Sequence, residues 1–229
     1  MSCIRAVLFD LDGTLFDSER VYRDGFLRAA EQLGLPRETV DHHAHLCGLP
    51  RNESRVYMKS VFGADFPYDA WREKMWEYAA SVFSAGGPPV KPYAKETLTA
   101  LREMGLSVAV ATSSRAEIAL PYLEKTGLLP LLDTAVTGER VERGKPFPDI
   151  FLLAARELDL PAKACAVVED AKNGILAAHR AGCYPILVPD LYPPAEELLP
   201  LLWHRADSLR EIPALVRAHN EGREQSPFF

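Results

Sequence analysis

The chain has little cysteine, no long hydrophobic run and no basic surplus, and each shortage closes off a class of function. Its four cysteines, Cys3, Cys47, Cys165 and Cys183, are scattered among 229 residues. No pair has the C-x-x-C spacing of a zinc or redox motif. Two sit in apolar, strand-like runs, which suits buried reduced thiols and a cytoplasmic address. No apolar stretch reaches the length of a membrane span, and no signal-peptide pattern precedes Phe9. Basic residues number 26 against 32 acidic ones, a net charge of −6. With no Lys/Arg cluster interleaved with aromatics, nonspecific nucleic-acid binding is not expected, although a local basic pocket is compatible with that balance. Internal repeats and low-complexity tracts are missing too. What is present is the composition of an ordinary soluble globule, 48% apolar and 25% charged. Its length suits one large domain or two small ones.

Four apolar runs read as strands of a parallel sheet: Ile4–Phe9, Leu106–Ala111, Ala164–Val168 and Pro185–Val188, with Thr134–Thr137 a weaker fifth. Helical patterns lie between them at Ala94–Met104, Arg115–Thr126, Pro148–Leu158 and Asn173–Ala181. This alternation predicts an α/β fold with a Rossmann-like parallel sheet. The stretch from about Asp17 to Gly87 breaks the rhythm and contains no clear strand. In its first helix Val21, Tyr22, Phe26, Ala29, Ala30 and Leu33 form one apolar stripe, ended by Gly34 and Pro36. Further helices are expected at Glu38–Leu46, Asn52–Phe62 and Tyr68–Ser84, the last with Trp71, Met75, Tyr78 and Val82 as its inner face. Ala85-Gly86-Gly87-Pro88-Pro89 is a breaker cluster suited to a hinge. The expected division is an α/β core of residues 1–16 and 89–229 and a helical insert of residues 17–88. The polar end, Arg217–Phe229, is expected to fray.

The first strand ends abruptly in Asp10-Leu11-Asp12-Gly13-Thr14. Side chains at i and i+2 of a strand point the same way. Asp10 and Asp12 therefore leave the strand side by side, at the edge where open α/β sheets bind ligands. Two buried like charges raise each other's pKa unless a cation intervenes. An EF-hand loop is excluded, because position twelve counted from Asp10 is Val21 and not the required Glu.

Three later segments carry compatible chemistry. Val108–Ala111 is followed by Thr112-Ser113-Ser114, hydroxyls at the opening of a helix, where free N–H groups can bind an anion. Gly144-Lys145-Pro146 places a compact cation just before a helix that starts at a proline. Val167-Val168-Glu169-Asp170 ends another buried strand in paired carboxylates, oxygen ligands suited to Mg²⁺. By contrast, Asp41-His42-His43-Ala44-His45 is not read as a metal site. Adjacent histidines on a helix point apart, and no acidic or thiol partner completes a tetrahedron by spacing.

The four segments, in this order, resemble the signatures of the haloacid dehalogenase superfamily, and the resemblance covers essentially the whole chain. The insert after the first motif is similar to the α-helical cap of the branch that holds β-phosphoglucomutases and small sugar-phosphate phosphatases. The resemblance implies a Mg²⁺-dependent phosphatase of a small phosphorylated metabolite, a monomer or weak homodimer. It casts Asp10 as the nucleophile that becomes an aspartyl phosphate and Asp12 as general acid and base. Thr112, Ser113, Ser114 and Lys145 would hold phosphoryl oxygens. Mg²⁺ would be held by Asp10, the Asp12 carbonyl, Asp170 and Glu169, the last directly or as an outer ligand. Ser18 falls near the core–cap hinge, and Tyr22, Arg51 and Lys74 in the cap are expected to hold the substrate, Arg51 from the loop opened by Gly48-Leu49-Pro50. Ala171 stands where many relatives carry Ser, Tyr93 where a Gly often follows Lys-Pro, and Tyr22 in the place of the mutases' hinge histidine. The alternatives are a hexose-phosphate mutase or, from another class, a receiver-like phospho-signalling module. The second Asp of D-x-D and the helical insert argue against the latter.

Overall fold

The computed structural model describes residues 3–47, 49, 51–84, 86–193 and 196–222. In chain order the elements are β1 (Ala6–Phe9), α1 (Ser18–Leu33), α2 (His43–Leu46), α3 (Arg51–Phe62), α4 (Tyr68–Phe83), α5 (Ala94–Glu103), β2 (Ser107–Ala111), α6 (Ala116–Lys125), β3 (Thr134–Val136), α7 (Asp149–Glu157), β4 (Cys165–Glu169), α8 (Lys172–Ala181), β5 (Tyr184–Leu187), β6 (His204–Arg205) and α9 (Ile212–Asn220). They fall into two compact units, Met1–Phe16 with Val90–Phe229, and Asp17–Pro89. Gly48, Pro50, Ala85 of the breaker cluster and the polar end beyond Gly222 lie outside the described residues. No helix among the described residues is long and apolar enough to cross a membrane.

The first unit is built on a six-stranded parallel sheet in the order β3-β2-β1-β4-β5-β6. Both faces of the central strands are covered, which is why their sequences run almost continuously apolar. Alternate residues serve the two faces. Val7, Phe9, Val108, Val110, Ala166 and Val168 pack with Leu98 and Leu101 of α5, Leu123 of α6, and Ile212 and Val216 of α9. Ala6, Leu8, Ala109, Ala111, Cys165 and Val167 pack with Phe151 and Ala154 of α7 and with Ala177 and Ala178 of α8. The five anticipated strands are present, with ends shifted by one or two residues. All four cysteines are free thiols, Cys3 exposed, Cys47 half-buried, and Cys165 and Cys183 buried. Burial pushes both of the latter thiols up, Cys165 to about 11, so they stay protonated.

Two features of the carboxyl-terminal part depart from expectation. The two-residue strand β6 extends the sheet edge by pairing His204 with Ile186. It is too short and polar to register as a periodic pattern. Residues 217–220 do not fray: α9 runs to Asn220, whose side chain exchanges two 2.8 Å hydrogen bonds with the backbone of Ile4. His219 is buried against Tyr184 and Trp203. A polar helix end stays docked because its amide satisfies backbone groups just before β1.

In the second unit α1 packs along α4. Trp71 stacks on Phe26 at 4.1 Å between centroids and donates its indole N–H to the Phe26 carbonyl at 3.1 Å. The inner face of α4 is Tyr68, Trp71, Met75, Ala79 and Phe83, not the expected stripe through Tyr78 and Val82, and Val82 is exposed. Both stripes obey helical spacing; the close α1–α4 approach selects the one that carries small Ala79. The helix expected over Glu38–Leu46 is a 3₁₀ turn, Arg37–Val40, followed by α2. His42 meets the Tyr57 hydroxyl at 2.7 Å and His45 stacks on the Tyr57 ring. His43 turns the other way and is buried, and burial, then Arg23, pushes its imidazolium down to about 4.

Tyr93, which precedes α5, has φ of 66° and is exposed. That is the left-handed region where glycine is comfortable and any residue with a Cβ pays about 1–2 kcal/mol. Tyr93→Gly is therefore expected to stabilise the chain by up to about that amount, and Tyr93→Val, β-branched, to destabilise it, as read from urea denaturation midpoints. Equal losses in the two variants would mean that the Tyr93 ring, beside Arg210, matters more than its backbone.

Candidate active site

Three adjacent strand ends and one loop of the first unit build the site. β1 pairs in register with β2 on one side and β4 on the other, so that Phe9 lies beside both Val110 and Val168. Asp10, Thr112 and Glu169 therefore emerge together at the carboxyl edge of the sheet. The strand order switches direction at β1, the place where open α/β sheets leave a crevice.

Asp10 is buried, and its N–H donates to the Val168 carbonyl at 3.0 Å. Lys145 reaches it from the loop before α7, where the Lys145–Pro146 peptide is cis. The ammonium donates to Asp10 Oδ1, to Glu169 Oε1 at 2.6 Å and to the Ala111 carbonyl at 3.0 Å. It also lies 5.0 Å from the centre of the Phe151 ring. Glu169 Oε2 accepts the N–H groups of Asp170 and Ala171, both at 3.2 Å, ahead of α8.

Two glycines make room for these carboxylates. Gly13 has φ of 86°, and a Cβ there would overlap the Asp170 carboxylate. A Cβ on Gly174, in the first turn of α8, would overlap the carboxylate of Glu169. Thr14 donates its hydroxyl to Asp170 Oδ1 at 3.0 Å. Its place in D-x-D-G-T was the available signal, but sequence reasoning gave it no role. Ser114 donates its hydroxyl to Asp12 Oδ2 at 2.7 Å, and its N–H to Thr112 Oγ1 at 3.0 Å. Thr112 is buried and retains its own O–H to donate, whereas Ser113 is exposed.

The electrostatics are strained in one direction. Burial pushes the Asp10 carboxyl up to about 8; Lys145 pulls it down, and Glu169 and Asp12 add to the rise. Burial draws the Lys145 ammonium down, but Asp10 and Glu169 outweigh it, so Lys145 is raised and remains charged. One ammonium thus serves a cluster with a surplus of carboxylates. One oxygen each from Asp10, Glu169 and Asp170 lies within 4.8 Å of the others. This all-oxygen set, short of positive charge, fits a hard divalent cation. The Asp12 carboxylate, held by Ser114, is not among the three.

The structure thus gathers Asp10, Asp12, Thr112, Ser114, Lys145, Glu169 and Asp170. The three insert residues belong to the second unit. Tyr22 is half-buried, edge-on to Trp76 and Phe83. Arg51 is exposed and shares Asp69 Oδ1 with Arg55, at 2.8 and 2.7 Å. These two hydrogen bonds hold the Asp69 carboxyl below the usual carboxylate range. Lys74 lies 3.7 Å from Glu77.

A family model of haloacid dehalogenase-like hydrolases matches residues 4–182, from the start of the sheet to the end of α8. The chain belongs to the haloacid dehalogenase-like hydrolases. It is 36% identical over 189 residues to hexitol phosphatase A of Escherichia coli, covering 82% of this chain and 84% of that one. It is 32% identical over 179 residues to a phosphorylated carbohydrates phosphatase of Thermotoga maritima, covering 78% and 82%. A haloacid dehalogenase family hydrolase of Deinococcus radiodurans, solved with bound phosphate and sodium, superposes with a TM-score of 0.80 at 26% identity, covering 96% of this chain and 98% of that one. β-Phosphoglucomutases are also among the relatives.

A cation at the three carboxylates requires ionised Asp10, and below pH about 8 a proton competes for it. Affinity for Mg²⁺, measured by calorimetry, is therefore expected to rise with pH up to about 8 and level off above it. Binding should release protons below that value and not above it. A flat affinity profile without proton release would place Asp10 outside the cation site.

Proposed function

We propose that the chain is a Mg²⁺-dependent phosphatase that hydrolyses a small phosphomonoester, a sugar phosphate foremost, through an aspartyl phosphate on Asp10. The observation that carries this reading is the shared site of Asp10 and Lys145, with Asp12 oriented by Ser114 two residues along the chain. The cation, when bound to Asp10, Glu169 and Asp170, supplies charge neutralisation that lets one anion approach another. Asp10 attacks phosphorus in line, forming a new O–P bond as the bond to the leaving oxygen breaks. Asp12 gives its proton to that leaving oxygen. It then takes a proton from the water that attacks phosphorus and frees Asp10. The Thr112 hydroxyl and the Lys145 ammonium hold the equatorial oxygens. Ser113 and Ser114 line the same strand end, with Ser114 also fixing Asp12.

In this reading residues 17–88 act as a cap that selects the leaving group, through Tyr22, Arg51 and Lys74. Tyr22 favours hydrolysis over mutase chemistry. It occupies the hinge-histidine place and packs on Trp76 and Phe83, and a phenol exchanges protons at neutral pH less readily than an imidazole. The partner is then a small phosphorylated metabolite, with no nucleic acid and no membrane, for a cytoplasmic monomer or weak homodimer.

Asp10→Asn is expected to abolish phosphate release across a panel of sugar, polyol and nucleotide phosphates. Asp12→Asn should slow it by about 10²–10⁴-fold. Near-normal turnover by Asp10→Asn would refute the aspartyl-phosphate route, and glucose 6-phosphate formed from β-glucose 1-phosphate with little free phosphate would establish the mutase instead.

Arg51→Ala should change relative kcat/KM among sugar phosphates and leave a small aryl phosphate almost untouched, since that ester offers the cap few contacts. Arg55 keeps Asp69 paired in this variant, so the α3–α4 contact survives. A uniform loss on every ester would assign Arg51 to folding of the insert.

A further inference from the structure

The helical unit holds a second group of ligating side chains that the phosphatase reading does not use. Glu19 comes from the first turn of α1, His43 opens α2, and Cys47 follows that helix. Glu19 Oε2 lies 3.3 Å from Cys47 Sγ and 3.4 Å from His43 Nε2, and Cys47 Sγ lies 3.6 Å from His43 Nδ1. One ligand atom from each residue lies within 4.8 Å of the others. Zinc bonds of about 2.0–2.3 Å to O, N and S give tetrahedral edges of about 3.3–3.5 Å. The two separations measured from Glu19 Oε2 match those edges.

The chemistry agrees with the geometry. Imidazole, thiol and carboxylate together make a mixed N, S and O set, which suits a zinc-class ion and not magnesium. His43 and Cys47 are four residues apart, so one turn of chain presents both to the same side. His43 is buried and uncharged at neutral pH, with the Phe26 ring 5.8 Å away as an apolar wall. The Cys47 thiol has one proton and three acceptors in reach: Glu19 Oε2 and the His43 carbonyl at 3.3 Å, and His43 Nδ1 at 3.6 Å. A cation in place of that proton would face the Glu19 carboxylate, the thiolate and one imidazole nitrogen together.

We propose that Glu19, His43 and Cys47 form a three-ligand site for a zinc-class transition-metal ion inside the helical unit, its fourth position left to water or to an oxygen of a bound molecule. The proposal departs from the sequence-based reading of the histidine run. The thiol partner was four residues on, and the carboxylate came from a helix 24 residues upstream of His43. The ion would tie α1 to the segment that leads into α3 and Arg51. The proposal stands apart from the identity of the phosphorylated substrate.

The test is titration of the metal-free full chain with Co²⁺ under argon. One equivalent is expected to bring up a thiolate-to-cobalt charge-transfer absorption in the near ultraviolet, with the visible bands of four-coordinate cobalt. Stoichiometric Zn²⁺ should bleach both, and excess Mg²⁺ should leave them, because Mg²⁺ competes only for oxygen ligands. Cys47→Ser should lose the near-ultraviolet band, Cys3→Ser should keep it, and Glu19→Gln should weaken Co²⁺ binding by at least about tenfold. Circular dichroism melts of the same variants check folding, and the exposed position of Cys3 makes its variant the folded control. Absence of the charge-transfer band in the wild-type chain, or its survival in Cys47→Ser, would overturn the proposal.

Discussion

The arrangement on which the catalytic unit depends is the Lys145 ammonium held between Asp10 and Glu169 at the carboxyl edge of the sheet. Two carboxylates this deeply buried cannot both remain ionised in an apolar crevice without a counter-charge. Lys145 supplies one charge, and backbone N–H groups at Glu169 supply fixed dipoles. The Asp10 carboxyl nevertheless stays well above its usual range. The remaining electrostatic deficit suits the site to a cation, as the proposed function requires. Removing one partner of a buried ion pair costs about 3–5 kcal/mol, so the same contact that prepares the chemistry also constrains the fold.

The sheet explains why these groups meet. In-register pairing of β1 with β2 and β4 sets three strand ends at one level, and the next residues along each strand are the polar ones. Small residues then clear the space. Gly13 and Gly174 stand where any side chain would collide with Asp170 or Glu169. Thr14 and Ser114 fix the orientation of Asp170 and Asp12. The site thus combines three strand ends with one group, Lys145, brought in by the loop before α7.

The helical unit follows a different logic. Its core is aromatic, centred on Trp71 and Phe26, and its polar residues are largely engaged with one another. Arg51 and Arg55 share Asp69, His42 and His45 share Tyr57, and Glu19, His43 and Cys47 converge. Such mutual pairing fixes each of these groups by a partner from another segment of the unit. A cation among Glu19, His43 and Cys47 would tighten that pairing on the segment entering α3.

By itself the sequence determined the parallel sheet, and it pointed to a helical stretch after β1 and to the carboxylates, hydroxyls and lysine that the sheet edge gathers. Those properties are local: near-continuous apolar runs alternating with helical patterns predict a parallel sheet, and two of those runs end in carboxylates. The tertiary structure decided what depends on partners distant along the chain. It chose Ala79 and Phe83 over Val82 for the inner face of α4, because α1 packs close. It kept Asn220 docked, because Ile4 offers a free N–H and carbonyl. It gave Tyr93 a glycine-like backbone and brought Glu19 to His43 and Cys47. Periodicity reports how one element faces a core, and carries no information about which residue of another element arrives there.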